Sequence, residues 1–208
     1  MTDAISSTGA LPTPLHVEAL SGVALTPALP ELARLRIEVF RDFPYLYDGT
    51  IEYEQAYLTK FAAAYGAVCV IASDNGRIIG ASTGGPLLSI DPSFAAAFEA
   101  NGYEPRSLFY CSESVLQKGY RGRGLGHAFF DLREAHAHKL GGFTHATFAS
   151  VVRPADHPLR PPNYQPLDAF WTKRGYKRAD GITGTYAWTD IDQTTETEKT
   201  MQFWIKEL

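Results

Sequence analysis

The chain has 208 residues and a formal charge of −4, with 45% hydrophobic, 12% aromatic and 20% charged residues. That length and apolar content bury a full core without disulfide or metal staples and exclude disordered and fibrous classes. The longest apolar run, Phe61 to Ala72, is interrupted by Tyr65 and Gly66 and is too short to cross a bilayer, so a soluble single-domain protein without a membrane partner is expected.

In chain order, the first dozen residues carry Asp3, no Lys or Arg and no continuous apolar stretch, which reads as a disordered tail over 1–13 ahead of one domain over 14–208. Leu15 to Leu20 alternates weakly as a first strand, and Pro27 and Pro30 punctuate the turn after it. A helix follows from about Glu31, with Leu32, Leu35, Ile37, Val39 and Phe40 on an imperfect apolar stripe that stops before Pro44. Ile51 to Ala64 reads as a second helix, joined to the first by the aromatic, acidic segment Phe43 to Gly49. Ala67–Ser73 and Arg77–Leu87 flank Asp74-Asn75-Gly76, a strong hairpin signal. Phe94–Ala100 is a short helix closed by Asn101-Gly102, and Ser107–Leu116 is the next strand. After Gly124, Leu125, Ala128, Phe129, Leu132 and Ala135 recur at helical spacing until Gly141-Gly142, and Thr144–Val152 is again a strand. Four prolines make Arg153–Gln165 an irregular loop, Pro166–Arg174 is a short helix, and Gly184–Thr189 and Met201–Ile205 are closing strands about an acidic turn. Helix and strand alternate only in the second half, which predicts an α/β protein of the α+β type with a mixed, mostly antiparallel sheet flanked by helices.

Charge is distributed unevenly. Residues 101–178 hold 12 Lys/Arg against 6 Asp/Glu, whereas both flanking segments are acidic. Within that basic stretch, Gln117 to Gly126 carries Lys118, Arg121 and Arg123 and no acid, which favours an anionic ligand. The acidic total argues against nucleic acid as a partner. Cys69 and Cys111 are far apart in apolar runs, which speaks for a reducing, cytoplasmic compartment and against a cysteine metal site.

The segment Val115-Leu-Gln-Lys-Gly-Tyr-Arg121-Gly-Arg-Gly124-Leu-Gly126 lies where a strand ends and a helix starts. Glycines there free backbone N–H groups, and with the helix N-terminus they form a cradle for phosphate oxygens. The spacing matches neither the dinucleotide fingerprint nor the P-loop. Arg121, Gly124 and Gly126 do match the Gln/Arg-x-x-Gly-x-Gly/Ala signature, and the chain resembles the GNAT superfamily of acyl-CoA-dependent N-acyltransferases. Ala169-Phe-Trp-Thr-Lys-Arg-Gly175-Tyr176 resembles that family's later helix, and the likeness extends from Leu15 to Leu208.

The resemblance implies that acetyl-CoA, or another short acyl-CoA, is held by Val115, Leu116, Arg121, Gly122, Arg123, Gly124, Leu125 and Gly126, with Trp171 against the pantetheine arm and no metal. An acceptor amine, of a small molecule or a peptide, needs a base, and Glu113 is the candidate, expected to share a strand face with Phe109, Cys111 and Val115 unless a bulge intervenes. Where many relatives carry a Tyr acid for the leaving thiolate, this chain has Trp171, which cannot serve, so Tyr164 or Tyr176 substitutes or the thiolate leaves unprotonated. Tyr45, Tyr47 and Glu52, with Asp48 and Glu54 beside them, lie where the acceptor would enter, and their acidic, aromatic character suits a cationic amine. Arg153, His157 and Arg160 are open to the acceptor or to the nucleotide. A homodimer is open as well.

Three other readings compete. Gly80-Ala-Ser82-Thr-Gly84 matches a hydrolase nucleophile elbow, but strand-like residues follow where a helix is required. His127, His136 and His138 raise a metal site, although the latter two are only two apart on a helix. A non-catalytic acyl-CoA sensor remains an alternative.

Overall fold

Val68–Asp74 (β2) and Arg77–Pro86 (β3) are joined by Asn75 and Gly76, both at positive φ (50° and 80°), a backbone that matches the twist of a tight hairpin. This hairpin is part of a seven-stranded sheet. The structure, a computed structural model, describes residues 15–208; the tail expected over 1–13 lies outside the described residues. His16–Leu20 (β1) pairs antiparallel with β2, and Leu108–Leu116 (β4) pairs antiparallel with β3. His145–Val151 (β5) lies parallel to β4, while Thr197–Glu207 (β7) and Lys177–Trp188 (β6) close the sheet antiparallel in the order β1-β2-β3-β4-β5-β7-β6.

Two helices cover one face of the N-terminal strands. Leu29–Phe40 (α1) has Pro30 in its first turn, where a missing N–H costs nothing, and buries Leu32, Ala33, Leu35 and Phe40. Ile51–Ala63 (α2) is capped by the Thr50 hydroxyl, which accepts from the Tyr53 N–H, and buries Leu58 and Phe61. Both pack on Cys69, Ile71, Ala81 and Val115. Short helices Leu87–Ile90 (α3) and Ala95–Glu99 (α4) continue that side toward Tyr110, Ile182 and Phe203. The opposite face belongs to Leu125–Leu140 (α5), whose Leu125, Phe129, Phe130 and Ala137 meet Val68, Val70, Ile79, Phe109 and Phe148, joined by Phe170 and Trp171 of Asp168–Lys173 (α6). Burying one such Phe is worth about 1.5–3 kcal/mol. Gly141, at φ 76°, ends α5 with its N–H on the Ala137 carbonyl at 3.0 Å.

The expected elements are present, but several bounds differ: β7 spans Thr197–Glu207 rather than Met201–Ile205. β6 begins at Lys177, well before Gly184, because the pairing with β7 shifts register between Arg178 and Thr183 around Gly181 (φ 82°), which breaks the alternation that marks a strand. Leu87 opens a helix rather than ending β3, since Pro86 cannot continue the ladder.

Candidate active site

The parallel ladder between β4 and β5 holds only Leu108–His145, Phe109–Ala146 and Tyr110–Thr147. Both strands run on, β4 to Leu116 and β5 to Val151, so they diverge and leave a wedge with the backbone edge of β4 along one wall. An unpaired strand edge is a row of hydrogen-bonding groups for an extended ligand.

β4 is also bulged. Thr83 stands opposite Glu113 and Gly85 opposite Tyr110, so Cys111 and Ser112 share the single partner Gly84. Side-chain direction inverts across that step. Phe109 and Cys111 face α5, whereas Glu113 and Val115 face α1 and α2. The expectation that Glu113 shares a face with Phe109 and Cys111 is therefore corrected, and the bulge is the reason.

What Glu113 meets there is Arg36, which reaches down from α1 with one guanidinium nitrogen on Glu113 and Nε on Glu54 of α2. The three side chains are 10%, 10% and 0% exposed, and the guanidinium lies over the Tyr57 ring at 4.4 Å. Two carboxyl groups thus share one guanidinium among Tyr45, Tyr47 and Tyr57. Burial, with Tyr164 nearby, pushes the Tyr45 hydroxyl up to about 12. Burial and then Glu54 raise Tyr47, so both phenols stay protonated donors at neutral pH. Glu52, two positions before Glu54 on α2, lies on the exposed side of the helix, so the buried carboxylate of this element is Glu54.

The segment carrying Tyr45 and Tyr47 is fixed by Arg153. Its Nε donates to the Pro44 carbonyl at 2.8 Å, Nη2 to the Tyr45 carbonyl at 2.7 Å, and the guanidinium takes Asp190 bidentately at 2.6 and 2.9 Å. Asp190 also meets Lys199 at 3.2 Å, the Trp188 indole donates to the Tyr45 carbonyl, and Ile191 N–H donates to Leu46 O at 2.7 Å. These bonds hold buried Leu46 at φ 56°, a backbone costly for a branched residue without such support. Arg153 is thus a clamp between two loops. His157, Arg160 and Tyr164 pack on Phe43 in the same region, Tyr164 edge-on at 4.7 Å.

At the far end of the wedge the loop before α5 is tethered and its glycines are free. Gln117 donates to Glu38 of α1, Lys118 meets Asp42 at 2.9 Å, and the Tyr120 hydroxyl donates to Asp74 at 2.8 Å. Gly122 and Gly124 sit at φ 76° and 83° with no protein atom within 4 Å of a hypothetical Cβ, so the space over them is open and the backbone demands glycine. No side chain caps α5, and the Gly124 carbonyl takes the His127 and Ala128 N–H groups, which leaves the preceding N–H groups aimed outward beside exposed Arg121 and Arg123. Gly126 does different work: a Cβ there would stand 3.3 Å from the Phe170 ring, so it lets α6 approach α5.

The remaining candidates separate cleanly. Trp171 is half-buried at 5.0 Å from Phe148 and 5.1 Å from Trp204, centroid to centroid. Tyr176 is 1% exposed, donates to Glu134 at 3.0 Å and is pushed far up by burial, which removes it as a proton donor to a thiolate; Tyr164 stays half-exposed. Ser82 lies buried in mid-strand with four more strand residues before α3 begins, so the elbow geometry, which needs a helix at once, is absent there. His136 sits 3.1 Å from the Gly66 carbonyl. Sequence reasoning missed Arg36 and Arg133, although both carried a signal: each is a charge on the apolar face of its helix, four residues from Phe40 and Phe129 respectively.

No family model matches the chain, and no curated protein does. Solved structures do. A GNAT-family acetyltransferase from Streptococcus pneumoniae aligns at 14% identity with TM-score 0.56, covering 94% of this chain and 99% of that one. The ribosomal-protein-alanine N-acetyltransferase of Brucella melitensis aligns at 12% and 0.59, over 93% and 99%. A Salmonella typhimurium protein solved with its cofactor acetyl-CoA aligns at 10% and 0.58, over 93% and 94%. The chain has the GNAT acetyltransferase fold. Among the described residues no helix is long and apolar enough to cross a membrane.

Proposed function

We propose that this chain is an N-acetyltransferase that moves an acetyl or other short acyl group from acyl-CoA to the amine of a small molecule or peptide. The observation that carries the reading is the wedge between β4 and β5, which links an uncapped, basic helix N-terminus at one end to a buried carboxylate cluster at the other.

The residues divide the work. N–H groups of Leu125 and Gly126, with Arg121 and Arg123, would hold the cofactor pyrophosphate over Gly122 and Gly124. The edge of β4 at Val115 and Leu116 would take the pantetheine arm, with Trp171 beside it, and direct the thioester toward Glu113. The amine nitrogen forms its bond to the thioester carbon as the carbon–sulfur bond breaks. Glu113, paired with Arg36, orients the neutral amine and accepts the one proton the nitrogen sheds on acylation. The departing thiolate needs no obligatory acid, and half-exposed Tyr164 packs edge-on against Phe43 of the acceptor segment. The similar structures include ribosomal-protein-alanine acetyltransferases, which supports a peptide amine as one acceptor class.

The test is thiol release from acetyl-CoA with a panel of amines and amino-terminal peptides, run beside calorimetry. Wild type should bind acetyl-CoA and turn over at least one acceptor, and Glu113→Gln should lose about 10²–10⁴-fold in kcat while still binding. Gly124→Glu should abolish binding. Binding without turnover on any acceptor would move the assignment to a sensor, and no binding at all would end it.

A further inference from the structure

Arg133 stands on the sheet-facing side of α5 and is only 1% exposed. A buried guanidinium is costly unless its N–H groups are satisfied, and among the described residues no carboxylate lies within ion-pair distance of it. Backbone carbonyls take that place. Nε donates to Phe129 O at 3.2 Å, and Nη1 donates both to Thr83 O at 3.1 Å and to Glu113 O at 3.0 Å, while the cation covers the Phe130 ring at 4.7 Å.

Thr83 and Glu113 are the cross-strand pair at which the β3–β4 register resumes after the bulge. In a regular antiparallel ladder, carbonyls lie in the sheet and bond the neighbouring strand. Here two of them, on different strands, accept from one donor outside the sheet. Without the bulge the two-residue alternation from Phe109 and Cys111 would carry Glu113 to the α5 face, away from Arg36.

We propose that Arg133 is a positioning residue for the active site: by binding the Thr83 and Glu113 carbonyls it keeps Cys111 and Ser112 bulged and so delivers the Glu113 carboxylate to the acceptor side. Its kinetic consequence rests on the acyl-transfer reading above; the structural one does not.

Arg133→Lys keeps the charge but loses the fork, Arg133→Met keeps the length and loses the charge, and each is combined with Glu113→Gln. In Arg133→Met, kcat should fall about 100-fold, as a displaced reacting group costs, with the KM for acetyl-CoA nearly unchanged; Arg133→Lys should lie between it and wild type. In the Glu113→Gln background the same substitutions should change kcat by about twofold or less, because both act through one group. Equal losses in the two backgrounds overturn the proposal. With carboxyl-carbon-labelled glutamate, the Glu113 signal, identified by its disappearance in Glu113→Gln, should move and titrate differently in both Arg133 variants; an unmoved signal overturns the proposal whether or not the protein transfers acyl groups. A wild type that ignores acetyl-CoA while that signal still responds to Arg133 refutes the function alone. Should the variants not fold, a wild-type crystal structure decides, and a β4 paired without the bulge overturns the proposal.

Discussion

The Arg36 cluster is arranged so that its one cation cannot be removed alone at low cost. Arg36→Met leaves the Glu54 and Glu113 carboxylates buried and facing one another, which should destabilise by about 3–5 kcal/mol. For a chain of this size that is a fall of about 10 °C or more in Tm, readable by thermal unfolding. Adding Glu54→Gln to Arg36→Met should recover part of the loss, since a buried charge disappears; a further drop would contradict this account. Asp190 makes a second prediction, in pH. Burial acts to raise its carboxyl, but Arg153 and Lys199 outweigh burial and hold it below the usual carboxylate range. The folded state therefore binds that proton less tightly than the unfolded chain. The resulting stability is complete above the unfolded value near ~3.9 and is lost as pH falls through the folded value. Asp190→Asn should be less stable than wild type at pH 7 by about 3 kcal/mol, and the gap should narrow below about pH 4 in denaturant titrations.

Among the elements, α5 carries the clearest test, because Gly124 is required by backbone alone. Gly124→Ala should cost about 1–2 kcal/mol and weaken acetyl-CoA binding, whereas Gly119→Ala, where φ is ordinary and space is open, should stay within about 0.5 kcal/mol of wild type. Elements bounded by such residues were legible from the sequence: Asn75-Gly76 marks its hairpin, and Gly124 and Gly141 bracket α5. The first half of β6 was not, because Asp180-Gly181 interrupts its alternation where the register shifts. Glu113 could be chosen from its neighbours, but not its direction. A bulge is a two-against-one relation between strands some thirty residues apart, and periodicity within one strand cannot contain it. Similarly, Arg36 and Arg133 announce themselves as charges on apolar stripes, while the groups they bind come from other elements.

At the scale of the molecule, the net charge of −4 conceals the basic middle segment that holds the whole anion cradle. Acetyl-CoA affinity should therefore weaken as ionic strength rises from about 0.02 to 0.5 M, as the Debye length shrinks from above 10 Å to a few Å; calorimetry at fixed pH reads this, and a salt-independent Kd would place the phosphates away from Arg121 and Arg123. Only three residue pairs tie β4 to β5, whereas β1 to β4 and β5 to β6 are each stitched by longer antiparallel ladders. The sheet is two antiparallel halves basted together along a short seam. Native-state hydrogen exchange should resolve them as separate cooperative units, with amides of Leu108–Tyr110 and His145–Thr147 opening at lower free energy than their neighbours in β3 and β7. A substrate lying along the open edge would then slow that opening from both sides at once.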